Sequence, residues 1–199
     1  TVENVGHASA GYHNTYGYYV IDDDGNPTSG QIIWADVKDS VGDTFTVEGV
    51  DQADVGFFLI PNGDNLNPGL QDGQSITFQQ DGSGNWVAVA DGVPLQGQGA
   101  NALFSDPSLN QGGYDYMVDT DLVGNQNWED LAGGGDQDFN DVNMDVAWDS
   151  EGGGAISRDL NIEVALTDTD GSEAITSIEI AGVPTGATLS AGTDNLDGT

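Results

Sequence analysis

The chain lacks cysteine and has almost no basic residues. Its 199 residues contain no Cys, and Lys38 and Arg158 are the only Lys or Arg residues beside 34 Asp and Glu residues. Without thiols, no disulfide can cross-link the fold and no thiolate can bind a soft metal. The formal charge of −32 argues against a nucleic-acid partner or an anionic membrane surface, because phosphate recognition needs clustered Lys and Arg.

Long apolar runs and helix-type patterns are also missing. No segment approaches the ~20 apolar residues that a membrane-spanning helix requires, so we predict neither membrane insertion nor a signal peptide. The only helical candidate is a single turn around residues 128–131. The chain starts at Thr1 without a methionine and ends in a turn-like sequence, which we interpret as an excised part of something longer.

Short apolar segments separated by Asp-Gly and Gly-Asn turns make up most of the sequence. Residues 55–60 form a continuous apolar run, which is typical of a strand covered on both faces. Turns at this frequency predict an all-β fold, a β-sandwich of jelly-roll or immunoglobulin-like type with long loops. Other strands are predicted at 31–37, 44–48, 75–79, 86–90, 102–104 and 113–119, with a final one leading to Trp148.

A composition shift divides the chain into two regions. Residues 151–154 read Glu-Gly-Gly-Gly, which is typical of a linker. We therefore predict a ligand-binding β-sandwich over residues 1–150 and a smaller β segment over residues 151–199. About three strands are too few for a sandwich of ordinary size. The smaller segment is either a truncated neighbour or a completion of the first sheet.

Residues 127–145 crowd carboxylates, amides and three successive glycines together. Like charges repel by roughly 1 kcal/mol per pair at 4 Å even in bulk water, so such a segment predicts a bound cation. Oxygen donors at every second residue from Asp136 favour calcium, which takes about six to eight oxygen ligands. The spacing departs from an EF-hand loop, because Ala147 stands where that loop has its last glutamate. The predicted calcium ligands are Glu129, Asp130, Asp136, Asp138, Asn140 and Asp141.

Two simpler interpretations of this acid stay open. A solvated acidic turn would need no ion, and a salt-adapted surface would explain the net charge. The salt-adapted surface does not explain why Asp, with 27 copies against 7 of Glu, is so often paired locally with Gly and Asn, and the density of oxygens argues against a solvated turn.

Residues 1 to about 149 resemble the calcium-dependent peptide-binding domain of giant bacterial repeats-in-toxin (RTX) adhesins. The matching motifs lie at residues 56–63 and 104–110, and above all at Trp128-Glu129-Asp130-Leu131 and Gly133-Gly134-Gly135-Asp136-Gln137-Asp138-Phe139-Asn140-Asp141. Residues 166–173 and 182–190 resemble the opening half of the immunoglobulin-like extender repeats of the same adhesins. In those repeats acidic turns bind calcium where domains join, which implies a further calcium site at Asp168, Asp170 and Glu173. A plain Asp-Gly turn is the alternative there.

The resemblance implies a secreted module on the bacterial cell surface, flanked by neighbouring adhesin domains. It implies that the module binds C-terminal peptides of surface proteins on a host or partner cell. A peptide carboxylate should avoid so acidic a chain unless an open calcium position or a row of backbone N–H groups receives it. The glycines before the metal ligands could supply such groups, because glycine lets a ligand approach the backbone. The candidate ligand contacts are Asn62, Asp64, Asn65, Tyr114, Asp115, Tyr116, Gly133, Gly134 and Gly135.

Several alternatives to this interpretation stay open. Strand packing would also explain the tyrosines, and ordinary turn chemistry would explain residues 62–65. His7 and His13 are too isolated in the sequence to predict a zinc site. A calcium-dependent lectin that binds glycans and a calcium-stiffened spacer without a ligand are the rival functions. A carboxylate pair could in principle hydrolyse a glycoside. We predict no catalysis, because calcium holds carboxylates ionised.

Overall fold

The computed structural model describes residues 1–7 and 11–148. The chain divides into two compact units, Thr1–Ala155 and Ile156–Thr199, and the first contains every residue described below. The segment predicted over 151–199, with its candidate ligands Asp168, Asp170 and Glu173, lies outside the described residues. Within the described part, no helix is long and apolar enough to cross a membrane.

Strands joined by turns form nearly all of the regular structure. The single α-helix among the described residues, α1, is Gly63–Leu66, and short 3-10 turns occur at Val37–Ser40, Gln52–Asp54, Pro107–Leu109 and Gln111–Gly113. The strands are β1 Val2–Gly6, β2 Thr15–Ile21, β3 Pro27–Trp34, β4 Thr44–Phe45, β5 Val55–Ile60, β6 Ser75–Gln80, β7 Trp86–Ala90, β8 Val93–Pro94, β9 Leu103–Phe104, β10 Met117–Val118, β11 Gln126–Trp128 and β12 Val142–Val146.

The strands form two antiparallel sheets, which confirms the predicted all-β sandwich class. One sheet has five strands in the order β10-β11-β12-β1-β4, and the other has seven in the order β8-β7-β6-β3-β2-β5-β9. In the smaller sheet β1 pairs with β12, so that Val2 faces Val146 across the ladder. The ends of the described unit are thereby joined in one sheet.

The first hydrophobic core lies between the two sheets. Tyr16 is at its centre, with its ring stacked 5.8 Å from Phe57 and 6.0 Å from Trp34. The edge of Trp128, from the smaller sheet, meets the same Tyr16 ring at 5.9 Å. All four side chains are buried. Aromatic pairs of this kind contribute about 0.5–1.5 kcal/mol beyond area burial, so they hold the two sheets together.

A second hydrophobic core lies on the other face of the seven-stranded sheet, which bends so that this face encloses it. Phe78 on β6 and Phe104 on β9 are four strand spacings apart, which is about 19 Å in a flat sheet. Their ring centroids are only 5.8 Å apart. Strand β5 therefore has a core on each side, with Phe57 and Leu59 in the first cluster and Phe58 and Ile60 in the second. The prediction of a strand covered on both faces is confirmed.

Several local predictions are wrong. No helical turn forms around 128–131, because Trp128 ends β11 by pairing with both Met117 and Val142 and residues 129–131 begin the loop that follows. The α-helix occurs at Gly63–Leu66, in a segment predicted as loop. The strand expected over 113–119 shortens to Met117–Val118, since Gly112 and Gly113 adopt positive φ and turn the chain just before it.

Candidate metal centre and adjoining cavity

The acidic segment is a closed loop between two paired strands. Trp128 at the end of β11 faces Val142 at the start of β12, and the Asp141 N–H donates to the Trp128 carbonyl oxygen at 3.2 Å. This pairing brings Glu129 and Asp130, at one end of the loop, beside Asp141 at the other. The loop 129–141 lies between two strands, as the sequence predicts.

Three carboxylates converge where the ends of the loop meet. Glu129, Asp130 and Asp141 each contribute an oxygen to a group whose members lie within 4.8 Å of one another. Glu129 is 0% exposed and Asp130 is 3% exposed. The Asp130 N–H donates to Asp141 Oδ2 at 3.0 Å, and Asn14 Nδ2 donates to Asp130 Oδ2 at 2.8 Å. Such buried carboxylates are rare in proteins unless they are paired or bind a metal.

The electrostatics of this cluster oppose ionisation. Burial raises the pKa of Glu129 and of Asp130, and for Asp130 the hydrogen bond from Asn14 and the weaker effect of the Lys38 charge lower the pKa too little to offset burial. Burial, with the negative charges of Asp130 and Glu129 beside it, raises the pKa of Asp141 to about 7. A divalent cation would reverse this balance, because it favours the ionised form of every carboxylate that contacts it.

A second oxygen cluster shares Glu129 with the first. Glu129, Asp136 and Asp138 each offer one carboxylate oxygen, and these oxygens lie within 4.8 Å of one another. The loop backbone wraps the Glu129 carboxylate, since the Leu131 and Gln137 N–H groups donate to its two oxygens at 3.0 and 2.9 Å. Asn140 follows on the same loop, and its N–H donates to Asp138 Oδ1 at 3.2 Å. The structure thus brings the five carboxylates predicted as ligands in this loop into two clusters that share Glu129.

The third glycine of the run is required by this arrangement. Gly135 has φ of +50°, and a Cβ at this position would collide with the Glu129 carboxylate. Gln137 and Phe139 also adopt positive φ although they are not glycine. Such conformations are uncommon for residues with a Cβ, so the loop stores backbone strain beside the carboxylates.

A cavity of about 480 Å³ adjoins the same loop. Tyr114, Tyr116 and Gly133, all predicted as ligand contacts, line it. Asp115 is exposed and is not among the lining residues, and Gly134 is buried with the Tyr114 ring against it. The expectation that the glycine N–H groups stand free is wrong for Gly133, whose N–H donates to the Tyr116 hydroxyl at 2.9 Å.

The other lining residues come from segments that the sequence did not mark as functional. Trp86 begins β7, and Asn101 and Gln111 lie in connections on either side of β9. These segments are separated along the chain by turns and strands, so no local pattern groups them. The described residues that line the cavity are Asn85, Trp86, Gly97, Gly99, Ala100, Asn101, Ala102, Leu103, Leu109, Asn110, Gln111, Gly112, Tyr114, Tyr116, Ala132 and Gly133.

The remaining predicted contacts lie outside this cavity. His13, isolated in the sequence, lies with Asp36 and Asp64 in a group of possible ligand atoms, and its Nδ1 is 2.6 Å from Asp36 Oδ2. Asn62 Oδ1 accepts hydrogen bonds from the His13 N–H at 3.3 Å and from Asn65 Nδ2 at 2.8 Å. Of the predicted set Asn62, Asp64 and Asn65, the first two therefore lie beside His13 and Asn65 joins them through Asn62, apart from the set that lines the cavity.

A family model described as a domain of unknown function, DUF4114, matches residues 50–149, half of the chain. The chain belongs to the DUF4114 family. No curated protein and no solved structure matches it. The DUF4114 match contains the whole acidic loop and every cavity residue, whereas strands β1 to β4 precede it. Asn14, which holds Asp130, therefore comes from outside the matched region.

Proposed function

We propose that this DUF4114 protein is a calcium-dependent binding module of a secreted bacterial adhesin. Its ligands would be C-terminal peptides of surface proteins on a partner cell. One observation carries the proposal: the loop that wraps the Glu129 carboxylate also provides a wall of the cavity, through Ala132 and Gly133. A cation bound to that loop would therefore determine the shape of the adjacent cavity.

The donor set fits a hard cation. The converging groups of the loop are all carboxylates, and oxygen donors of this kind suit calcium rather than softer metals. Glu129 would contribute to both clusters, with Asp130 and Asp141 on one side and Asp136 and Asp138 on the other. Bound calcium would offset the burial and the neighbouring negative charges that raise the pKa of Asp141, so folding and calcium binding would be coupled.

The peptide's terminal carboxylate would bind at the exposed side of this loop. Asp136 and Asp138 are exposed, in contrast to Glu129 and Asp130. A cation held there would be reached from solvent and could attract a carboxylate that the chain's own charge of −32 would otherwise repel. The buried cluster would then stabilise the fold, and the exposed one would receive the ligand.

The test is a calorimetric titration with two versions of one peptide, one ending in a free carboxylate and one amidated. Each is titrated with calcium and after chelation. We expect binding only for the free carboxylate with calcium present. Equal binding of both versions, or binding unaffected by chelation, would refute the mechanism. Glycan binding without any peptide binding would replace it with the lectin function.

A further inference from the structure

The cavity beside the loop is uncharged although the protein is strongly acidic. Of 199 residues 34 are Asp or Glu, yet among the described residues no Asp, Glu, Lys, Arg or His lines the cavity. Its walls are glycine and alanine backbone, two leucines, three aromatic rings and four side-chain amides. A volume of about 480 Å³ lies within the ~300–1,000 Å³ range of small-ligand pockets. The cavity thus has room for a ligand, but its described lining holds no charged group that could pair with a charged ligand.

Some polar side chains of the lining are hydrogen-bonded within the protein, and others are free to bind a ligand. Asn110 is committed, because its side chain bonds the Phe104 N–H and carbonyl oxygen at 2.8 Å each and the Tyr114 carbonyl oxygen at 2.9 Å. In the described part of the chain, the side-chain amides of Asn101 and Gln111 have no hydrogen-bond partner. These two amides are free to bond the backbone or an uncharged polar group of a ligand.

We propose that this cavity is the specificity pocket of the peptide site. It takes an uncharged aromatic or branched aliphatic side chain from the residues just before the terminal carboxylate, and it rejects Asp, Glu, Lys and Arg. The inference rests on the proposed function, because it needs a peptide anchored at the neighbouring loop. Ala132 and Gly133 connect the two parts, since they line the cavity and precede the exposed carboxylates by only a few residues.

Rejection of lysine distinguishes this pocket from simple electrostatics. A protein of charge −32 attracts basic peptides at long range, so net charge alone would favour Lys over Tyr or Leu. Inside the cavity an ammonium group would lose its hydration and meet only neutral acceptors such as the Asn101 and Gln111 amide oxygens, with no negative charge to offset the loss of a few kcal/mol. The pocket therefore prefers uncharged side chains, although the net negative charge of the protein attracts basic ones.

The experiment uses the whole chain saturated with calcium and a peptide of Gly and Ser with a free C-terminus. Tyr, Leu, Asp or Lys is placed in turn at each of the three positions before the last residue, and affinity is measured by calorimetry. We expect one position at which Tyr and Leu bind at least tenfold more tightly than Asp and Lys. Gln111→Glu should reverse the ranking of Lys and Tyr at that position, because it supplies a charge partner at the lining.

Gln98→Glu is the matched control. Gln98 is exposed and lies between two lining glycines, but it is not part of the lining itself. This variant makes the same change in charge and should leave the ranking of the four peptides unaltered. Both substituted positions are exposed, so the variants should fold, and tryptophan fluorescence checks this.

The outcomes separate the pocket from the peptide site. Equal affinities for the four residues at every position, with the need for a free carboxylate retained, would overturn the pocket and leave the proposed function. Equal binding of amidated peptides would overturn the proposed function itself. Saturable binding of maltotriose or chitotriose that Gln111→Glu abolishes, beside a flat peptide ranking, would assign the cavity to a neutral saccharide and overturn the inference.

Discussion

Neutralising Asp141 should stabilise the protein without calcium and destabilise it with calcium. Burial and the neighbouring negative charges raise the pKa of Asp141 to about 7 in the folded state, against 3.8 for an ordinary aspartate. A carboxyl with a raised folded-state pKa contributes stability that is present below its unfolded pKa and is lost as pH rises through the folded value. The calcium-free protein should therefore become more stable as pH falls from about 7 towards 4.

The size of this effect follows from the pKa difference. Roughly three units at about 1.4 kcal/mol per unit set an upper limit of about 4 kcal/mol. Asp141 is only partly buried, so solvent screening reduces the effect to about 1–3 kcal/mol between pH 8 and pH 5. Asp141→Asn removes the titrating group and one of the repelling charges. We expect it to stabilise the calcium-free protein at pH 8 by a similar amount.

Urea unfolding of metal-free protein, followed by tryptophan fluorescence at several pH values, measures this difference. Asp23→Asn is the control, because it removes one charge from an exposed turn far from the loop in sequence and so reports general self-repulsion. With calcium present, Asp141→Asn should lower the free energy of unfolding relative to the parent. A calcium-free Asp141→Asn variant that is less stable than the parent at pH 8, or as dependent on pH, would refute the reasoning.

Two further predictions concern the groups that hold the loop. Gly135→Ala should weaken calcium binding at least tenfold, because the added Cβ collides with the Glu129 carboxylate. Terbium-luminescence competition measures the calcium affinity. The control Gly133→Ala, also at positive φ but with open space around the added Cβ, should change the calcium affinity much less. Asn14→Ala should lower the free energy of unfolding by about 1–3 kcal/mol in urea, because it leaves buried polar groups unpaired. The exposed control Asn65→Ala should change it by less than about 0.5 kcal/mol, and an equal loss would contradict the assigned role of the buried amide.

The fold class and the uninterrupted strands could be predicted from local pattern. Val55–Ile60 and Trp86–Ala90 have the bounds that the sequence predicts, because each is an apolar run closed by a turn. The short strand Gln126–Trp128 was missed, since two of its three residues are polar. Its conformation depends on pairing with β10 and β12 and on burial of Trp128 against Tyr16. Tertiary contacts of this kind leave no trace in local pattern.

In the candidate site, too, local sequence predicts some residues and only the tertiary fold brings in the others. The carboxylates that meet at Glu129 all lie within one loop of the sequence, so spacing alone suggested them. Asn14 and the cavity lining are brought in by the sheet topology from distant segments, and only the structure groups them. His13 shows the same effect, because its two acidic neighbours are supplied by residues 36 and 64.

Composition counts every acidic residue alike, but the structure distinguishes two hairpin aspartates from three carboxylates of the loop by the direction in which it shifts their pKa. Asp22 is exposed and Asp81 is half-buried, each in a hairpin turn, and backbone N–H groups, first those of Asn26 and Asn85, lower their pKa. These aspartates are stabilised by the turn that contains them and need no ion. Glu129, Asp130 and Asp141 accept backbone hydrogen bonds or lie beside them, yet burial raises their pKa all the same. A carboxylate that stays unfavourable to ionise after accepting hydrogen bonds is one that a cation would stabilise. We therefore propose metal binding at this loop and not at the hairpin turns of Asp22 and Asp81.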